Sequence, residues 1–342
     1  MSEGYRFDLE KFFPKRIFRK ITEVRVERPE VVEEMAQARR RRPRLTYDGR
    51  LLIIATDHPA RGVTASGGDP LLMGNRQEYL GRVLRVITST EFDGVMGPPD
   101  IIDDLFIVDY LVQQGGGPSF LDGKVLVGCM QRGGVAGVAG EIDDRFTNYT
   151  AEEMAAMRLD GGKMMFRVVR DDPRTLDTIW YCSQAVNELN EYGLVPFVEP
   201  LPMKYENGKY VANYTVEELV RLVSVAAALG SASRYTWLKV PVIENYERVT
   251  MATTLPLLML GGESRQDPVP IIQAFHYGLQ AGENVRGAMV GRNVLFPGPE
   301  DPRAVAVAIN GLIHEGLTPE QAVQRMYERR DEDIDFLVRY IR

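Results

Sequence analysis

The stretch KMMFRVVRDDPRTLDTIWYCSQAVNELNEYGLVPFVEPLP, residues 163–202, holds the architecture in miniature. An apolar run, KMMFRVV (163–169), leads into TLDTIWYCSQAVNELNEYG (175–193), which is amphipathic and closes on the glycine that often ends a helix. LVPFVEPLP (194–202) is a second apolar run. Both runs are nearly continuous in their apolar residues rather than alternating, the mark of a strand buried on two faces. Strand, helix and strand in this order make a crossover unit with parallel strands.

Six further runs of the same kind lie on either side: LLIIATDH (51–58), FDGVMGPP (92–99), KVLVGCMQ (124–131), YTWLKVPV (235–242), LPLLMLGGES (255–264) and VRGAMVGRNVL (285–295). Helical patterns such as TVEELVRLVSVAAALG (215–230) separate them. Eight parallel strands alternating with helices predict a closed (β/α)8 barrel over 47–342, preceded by a helical N-terminal extension over 1–46. No 20–50-residue repeat and no low-complexity linker divides the chain.

The 342 residues are 44% hydrophobic and 26% charged, an ordinary globular balance. The opening MSEGYRFDLEKFF lacks the apolar core of a secretory signal, and no apolar run reaches the roughly 18 residues of a membrane span. Cys129 and Cys182 are too few to frame a disulfide scaffold, so the cytoplasm is the expected location. A net charge of −7 argues against nucleic acid as the main partner. The basic run ARRRRPR (38–44) follows ERPEVVEEMAQ and reads as the solvated C-terminal end of a helix, where cations complement the dipole; an interaction patch is the alternative.

The apolar runs turn polar or glycine-rich at their C-terminal ends: Asp57-His58, Gly97-Pro98, Gln131-Arg132, Arg167 and Arg170, Glu199, Lys239, Gly261-Gly262-Glu263, and Gly291-Arg292-Asn293. Barrels of this kind carry their active sites at that mouth. The Gly-rich loop 131–150 after the third run is either a mobile lid or a long connection.

Lys239 sits among Trp237, Leu238, Val240 and Val242. Side chains alternate along a strand, so Trp237, Lys239 and Pro241 share one face; if that face points inward, desolvation lowers the amine's pKa and yields a nucleophile for a carbonyl, the alternative being an ion-paired core lysine. Lys163 opens the fourth run, and a second cation there would depress Lys239 further; taken alone, a lysine at a strand's start is more often at the surface. Glu199 and Asp57 are the carboxylate candidates for proton transfer. Gly261, Gly262, Gly291 and Arg292, on the last two strands, suit a phosphate cradle, and Arg61 in DHPARG suits a second anionic group. His58, His276 and His314 are widely spaced and form no metal-binding pattern, so neither a metal nor a cofactor is expected.

These residues, in this order, resemble the class I, Schiff-base aldolases of the deoxyribose-phosphate, fructose-bisphosphate and tagatose-bisphosphate group over roughly residues 50–300. ATDHPARG is similar to the acidic first-strand motif, which implies Asp57 as acid/base and Arg61 as a phosphate contact. GGKMMFRVVRDDP is similar to the tagatose-bisphosphate aldolase strand with an auxiliary lysine, here Lys163. GLVPFVEPLPMKY resembles the strand with a functional glutamate, here Glu199, and WLKVPV the strand of the Schiff-base lysine, here Lys239. LMLGGES and GAMVGRNVLF resemble the phosphate-binding ends. The extension has no counterpart in the shared core, and no counterpart of the tyrosine acid of archaeal fructose-bisphosphate aldolases is evident. The pattern also resembles a bacterial aldolase-like branch associated with inositol breakdown, which implies cleavage of 5-dehydro-2-deoxygluconate 6-phosphate to dihydroxyacetone phosphate and malonate semialdehyde. A small sugar phosphate is the expected partner, without nucleic acid or membrane, and a homo-oligomer the expected state. Two other readings stay open: a sugar-phosphate isomerase working through Glu199, and a non-catalytic sugar-phosphate-binding barrel.

Overall fold

The eight apolar runs form eight parallel strands that close on one another. In chain order the strands are β1 (Leu51–Ala55), β2 (Gly94–Gly97), β3 (Val125–Cys129), β4 (Gly161–Val169), β5 (Val195–Glu206), β6 (Lys209–Ala212), β7 (Trp237–Pro241), β8 (Leu257–Leu260) and β9 (Val285–Val290). Each barrel strand pairs in parallel with the next, β4 with β5 and β5 with β7, and β1 pairs with β9 to complete the ring. This computed structural model describes residues 4–131, 135–138 and 140–342, so Arg132 lies outside the described residues.

Strand periodicity sorts the side chains. On β1, Leu51 and Ile53 point inward to a cluster with Met96, Val127, Phe197 and Met289, while Leu52 and Ile54 join the larger core beneath the helices. Both sets are fully or almost fully buried, which is why these runs are apolar at every position.

β4 begins at Gly161, two residues before Lys163, so this lysine lies inside the strand and is 1% exposed, against the surface position its place in the run suggests. β5 runs past the expected 202 and turns back antiparallel as β6, pairing Glu206 with Lys209. Asn207 and Gly208 make the turn with φ of 51° and 79°, the left-handed pair that a two-residue hairpin requires.

The extension forms helices Leu9–Phe12, Lys15–Glu27 and Val31–Ala38. The first packs on barrel helix Arg76–Ile87 and the other two on Pro99–Gln114, with Phe12, Phe13 and Ile17 fully buried. The arginine run lies beyond the helix and only part of it is solvated: Arg40 and Arg41 are exposed, whereas the Arg39 and Arg42 side chains are buried against the barrel. The helix stops at Ala38, and Arg39, 3% exposed, donates to the carbonyls of Lys124 and Arg158 and pairs with Asp160 at 3.3 Å. Arg40 pairs with Asp122 at 2.6 Å, Arg41 with Asp160 at 2.9 Å and Arg42 with Asp93 at 2.7 Å. These aspartates stand just before β2, β3 and β4, so the run is fastened to the N-terminal rim of the barrel, and Leu45 packs against the interior cluster from that end. Helix dipole reasoning missed this because the partner carboxylates lie about 50 to 120 residues away in the chain. Asp93 also accepts from Leu52 N at 2.7 Å and meets His314 Nε2 at 2.9 Å. Among the described residues no helix is long and apolar enough to cross a membrane.

Candidate active site

At the opposite, C-terminal mouth, inward-facing positions of β1, β4, β5 and β7 become charged. Lys163 Nζ lies 3.1 Å from Asp57 Oδ2 and 2.5 Å from Glu199 Oε2, and Lys239 Nζ lies 3.0 Å from Glu199 Oε1. Glu199 therefore bridges the two lysines, and Asp57 holds Lys163 from the other side. All four side chains are at least nine-tenths buried. Two cations and two carboxylates compensate one another, which makes their burial tolerable.

The environment divides the two amines. Burial lowers the pKa of Lys239, and the Lys163 charge adds to that; the Glu199 carboxylate opposes it without cancelling it. Burial also disfavours the charged form of Lys163, yet Asp57 and Glu199 together overcome this and raise its pKa. Burial pushes Glu199 upward, but Lys163 and Lys239 outweigh it and hold the carboxyl at about 2. Asp57 follows the same pattern, burial being outweighed by the charges of Lys163 and Lys239. Lys163 is thus favoured as the cation, and Lys239 is the amine inclined to give up its proton.

A cavity of about 190 Å3 opens above this cluster. Lys239, Glu199, Asp57, Gly261, Gly262, Gly291, Arg292 and Arg61 all line it, so the structure brings the expected site residues to one place. Lys163 sits one layer beneath, in contact with two of them. Gly291 leaves room for a neighbour: a Cβ there would come within 2.5 Å of His58 Cε1 and 2.6 Å of the Ala55 carbonyl oxygen. Asn293 Nδ2 donates to the Gly261 carbonyl at 2.6 Å and fixes the end of β8.

The cavity is also lined by His58 and Arg167, at two of the polar strand ends, and by Tyr214, which the reading of the sequence did not single out. Tyr214 follows the β5–β6 hairpin and borders the cavity beside Lys239 and Gly261; burial, reinforced by Glu199, raises its phenol to about 12 and keeps it a proton donor. The Asn207-Gly208 pair between MKYE and KYVA was the signal that a hairpin returns the chain there. His58 is pushed down to about 3 by burial, with Arg292, Arg61 and Lys239 adding and Asp57 opposing, and is a neutral imidazole. Arg167 lines the far rim, bound to Asp144 at 2.6 Å and to Glu141 at 3.3 Å, both from the Gly-rich loop, which thereby ties to the mouth. Arg170 instead points outward and pairs with Glu218 at 2.6 Å.

The profile of the Cgl0159-like family matches residues 49–310, the whole span of the barrel strands. The chain belongs to the Cgl0159-like family. Cgl0159 from Corynebacterium glutamicum (Brevibacterium flavum), known as a crystal structure, is 37% identical with a TM-score of 0.81, covering 88% of this chain and 97% of that one. A Schiff base forming fructose-1,6-bisphosphate aldolase shares the fold of this Cgl0159-like chain, with a TM-score of 0.54 at 18% identity over 83% of this chain and 100% of that one. A fructose-bisphosphate aldolase from Slackia heliotrinireducens DSM 20476 does so with a TM-score of 0.61 at 14% identity over 95% and 97%. At these identities the likeness is one of fold. No significant match was found among curated proteins.

Proposed function

We propose that this Cgl0159-like barrel is a class I aldolase that cleaves a phosphorylated keto-sugar or keto-sugar acid through a Schiff base on Lys239. The observation that carries the reading is the Lys239 amine itself, lining the cavity with a lowered pKa and 3.0 Å from the Glu199 carboxylate. The shared fold with Schiff-base aldolases agrees with it.

The chemistry follows from the cluster. Neutral Lys239 attacks the substrate carbonyl, and loss of water from the carbinolamine leaves an iminium. Glu199 takes the proton of the hydroxyl on the carbon β to the iminium; the carbon–carbon bond breaks and its electron pair moves into the iminium to give an enamine, while the aldehyde departs. Glu199 returns the proton to the enamine carbon, and water releases the ketone and free Lys239. At this step the Lys239 nitrogen is cationic as the iminium and Lys163 is charged, so Glu199 is held as the carboxylate that accepts the proton. Lys163 stays charged and keeps Glu199 aimed. Gly261, Gly262, Gly291, Arg292 and Arg61 hold the phosphate and so place the carbonyl against the amine.

5-Dehydro-2-deoxygluconate 6-phosphate, giving dihydroxyacetone phosphate and malonate semialdehyde, is the first substrate to assay. The deciding experiment is borohydride reduction in the presence of dihydroxyacetone phosphate with peptide mass spectrometry. A stable adduct on Lys239 is expected. Binding without an adduct would overturn the Schiff-base mechanism and favour an isomerase or a non-catalytic binder.

A further inference from the structure

A second cavity, of about 550 Å3, lies outside the barrel where the N-terminal extension packs on it. It shares no lining residue with the cavity at the mouth. Arg25 comes from the helix Lys15–Glu27, Val32 and Glu33 from Val31–Ala38, Asp103 and Ile107 from Pro99–Gln114, and Glu153 from the short helix Ala151–Ala156. Asn148 and Tyr149, just ahead of that last helix, complete the wall. The volume falls within the roughly 300–1,000 Å3 of small-molecule sites.

Two donors in this wall have no protein acceptor. Tyr149 is 5% exposed, and its hydroxyl is enclosed without a hydrogen-bond partner among the described residues; Asn148 Nδ2 is in the same condition. The Tyr149 ring rests on Gly128 of β3, where an added Cβ would come within 2.8 Å of its Cδ2, so the ring runs outward from the barrel wall and its hydroxyl ends near Asp103 and Glu153. Burial, with those two carboxylates adding, pushes the phenol upward and keeps it an O–H. An enclosed donor left unmatched costs about 1–3 kcal/mol, which a ligand bringing acceptors would remove.

Acceptors are in surplus on the other walls. Arg25 directs its Nε and Nη2 to Asp104 Oδ1 at 2.9 and 2.7 Å, while its Nη1 stands 3.7 Å from Asp103 Oδ2, longer than a hydrogen bond. Glu33 and Glu153 have no ion-pair partner among the described residues. Burial raises the Asp103 carboxyl to about 6, with Arg25 opposing and Asp104 and Asp100 adding.

These donors and acceptors together select the ligand. A phosphate or carboxylate would match Tyr149 and Asn148 but meet three carboxylates and a single arginine already engaged with Asp104. An ammonium would match the carboxylates and leave the Asn148 amide donor without an acceptor. A hydroxyl does both, donating to a carboxylate while accepting from the amide or the phenol. Val32, Ile107 and Met157 supply apolar surface for the carbon skeleton between hydroxyls. We infer that the cavity between the extension and the barrel is a second ligand site, for a neutral polyhydroxylated molecule of hexose or hexitol size. It is independent of the chemistry at Lys239.

The test is a saturation-transfer NMR titration of the full chain with D-glucose, D-glucitol and D-mannitol, beside gluconate and 1,4-diaminobutane as charged comparators. At least one of the three neutral compounds should bind, and more tightly than either comparator. Tyr149→Phe and Asn148→Ala should each weaken that binding roughly fivefold or more, the loss of one hydrogen bond, whereas Arg61→Ala at the mouth should leave it unchanged. Without ligand, Tyr149→Phe should melt no lower than wild type, because the hydroxyl it removes has no protein acceptor, and this separates lost binding from lost fold. No binding of any neutral compound, tighter binding of gluconate or of 1,4-diaminobutane, or binding that responds to Arg61→Ala and ignores Tyr149→Phe and Asn148→Ala would each overturn the inference.

Discussion

Glu199 turns one carboxylate oxygen to Lys239 at 3.0 Å and the other to Lys163 at 2.5 Å. A single buried carboxylate thus couples the proposed nucleophile to the cation that tunes it. Removing each lysine should therefore have a different consequence.

Lys239→Met should abolish turnover and the borohydride adduct while leaving the barrel folded. Glu199 loses one of its two cations but keeps its Lys163 partner, so no carboxylate is left wholly unpaired and the cost should stay below that of stripping a buried carboxylate of every partner. Lys163→Met strands Asp57, leaves Glu199 with Lys239 alone, and should destabilise by roughly 3–5 kcal/mol. Urea titrations of the two variants compare these costs directly, and a Lys239→Met protein less stable than Lys163→Met would contradict the assignment.

The pH dependence of adduct formation should place the ionisation of Lys239 below the 10.5 of a free lysine amine, because burial and Lys163 both disfavour its ammonium form. Adduct yield would rise with pH through that lowered pKa. In Lys163→Gln the neighbouring charge is absent and the rise should move to higher pH. An unchanged midpoint would show that Lys163 does not tune the amine.

Glu199 gives a stability signature of opposite pH range. Its carboxyl is held at about 2 against an ordinary value of 4.5, since the two lysines outweigh burial, so the folded state binds its proton less readily than the unfolded chain. Its contribution is present above the unfolded value and is lost as pH falls from about 4.5 toward 2. The stability gap between wild type and Glu199→Gln, measured by urea titration across pH 2 to 7, should narrow over that window. A constant gap would refute it.

Tyr214→Phe should lower kcat roughly 100-fold or more if the phenol donates a proton or hydrogen bond to the reacting substrate, with stability within about 0.5 kcal/mol of wild type. Steady-state kinetics beside thermal melts separate the two effects; unchanged kcat would place Tyr214 outside the chemistry.

At the other end of the barrel, Asp93→Asn should cost roughly 3 kcal/mol or more, since it leaves Arg42 without its carboxylate and weakens the partner of His314. His314 is disfavoured as a cation by burial, but Asp93 and Asp48 outweigh that and raise its pKa. The stability it supplies is complete below the ordinary 6.5 of a histidine and disappears as pH rises through the raised value. Denaturant titrations of wild type and His314→Asn between pH 5 and 9 should converge toward the alkaline end, with the mouth chemistry of Asp93→Asn, assayed as adduct formation, unaltered.

Much of the barrel was legible in the chain because its strands are buried on both faces: a run such as LLIIA admits few other readings, and eight such runs separated by helical patterns close a ring. Strand alternation put Trp237, Lys239 and Pro241 on one face, and closure of the barrel decided that this face points inward. The hairpin was written in Asn207-Gly208 and could have been read locally. Tertiary structure alone decided the rest. That Glu199 bridges two lysines, that four consecutive arginines pair with aspartates at the foot of three strands, and that Arg61 and Arg292 line one cavity are all relations between residues tens to hundreds of positions apart. Periodicity reports which face of an element is buried; the charge that will lie opposite is set by closure of the barrel, where burial in low dielectric makes each pairing strong enough to fix a pKa.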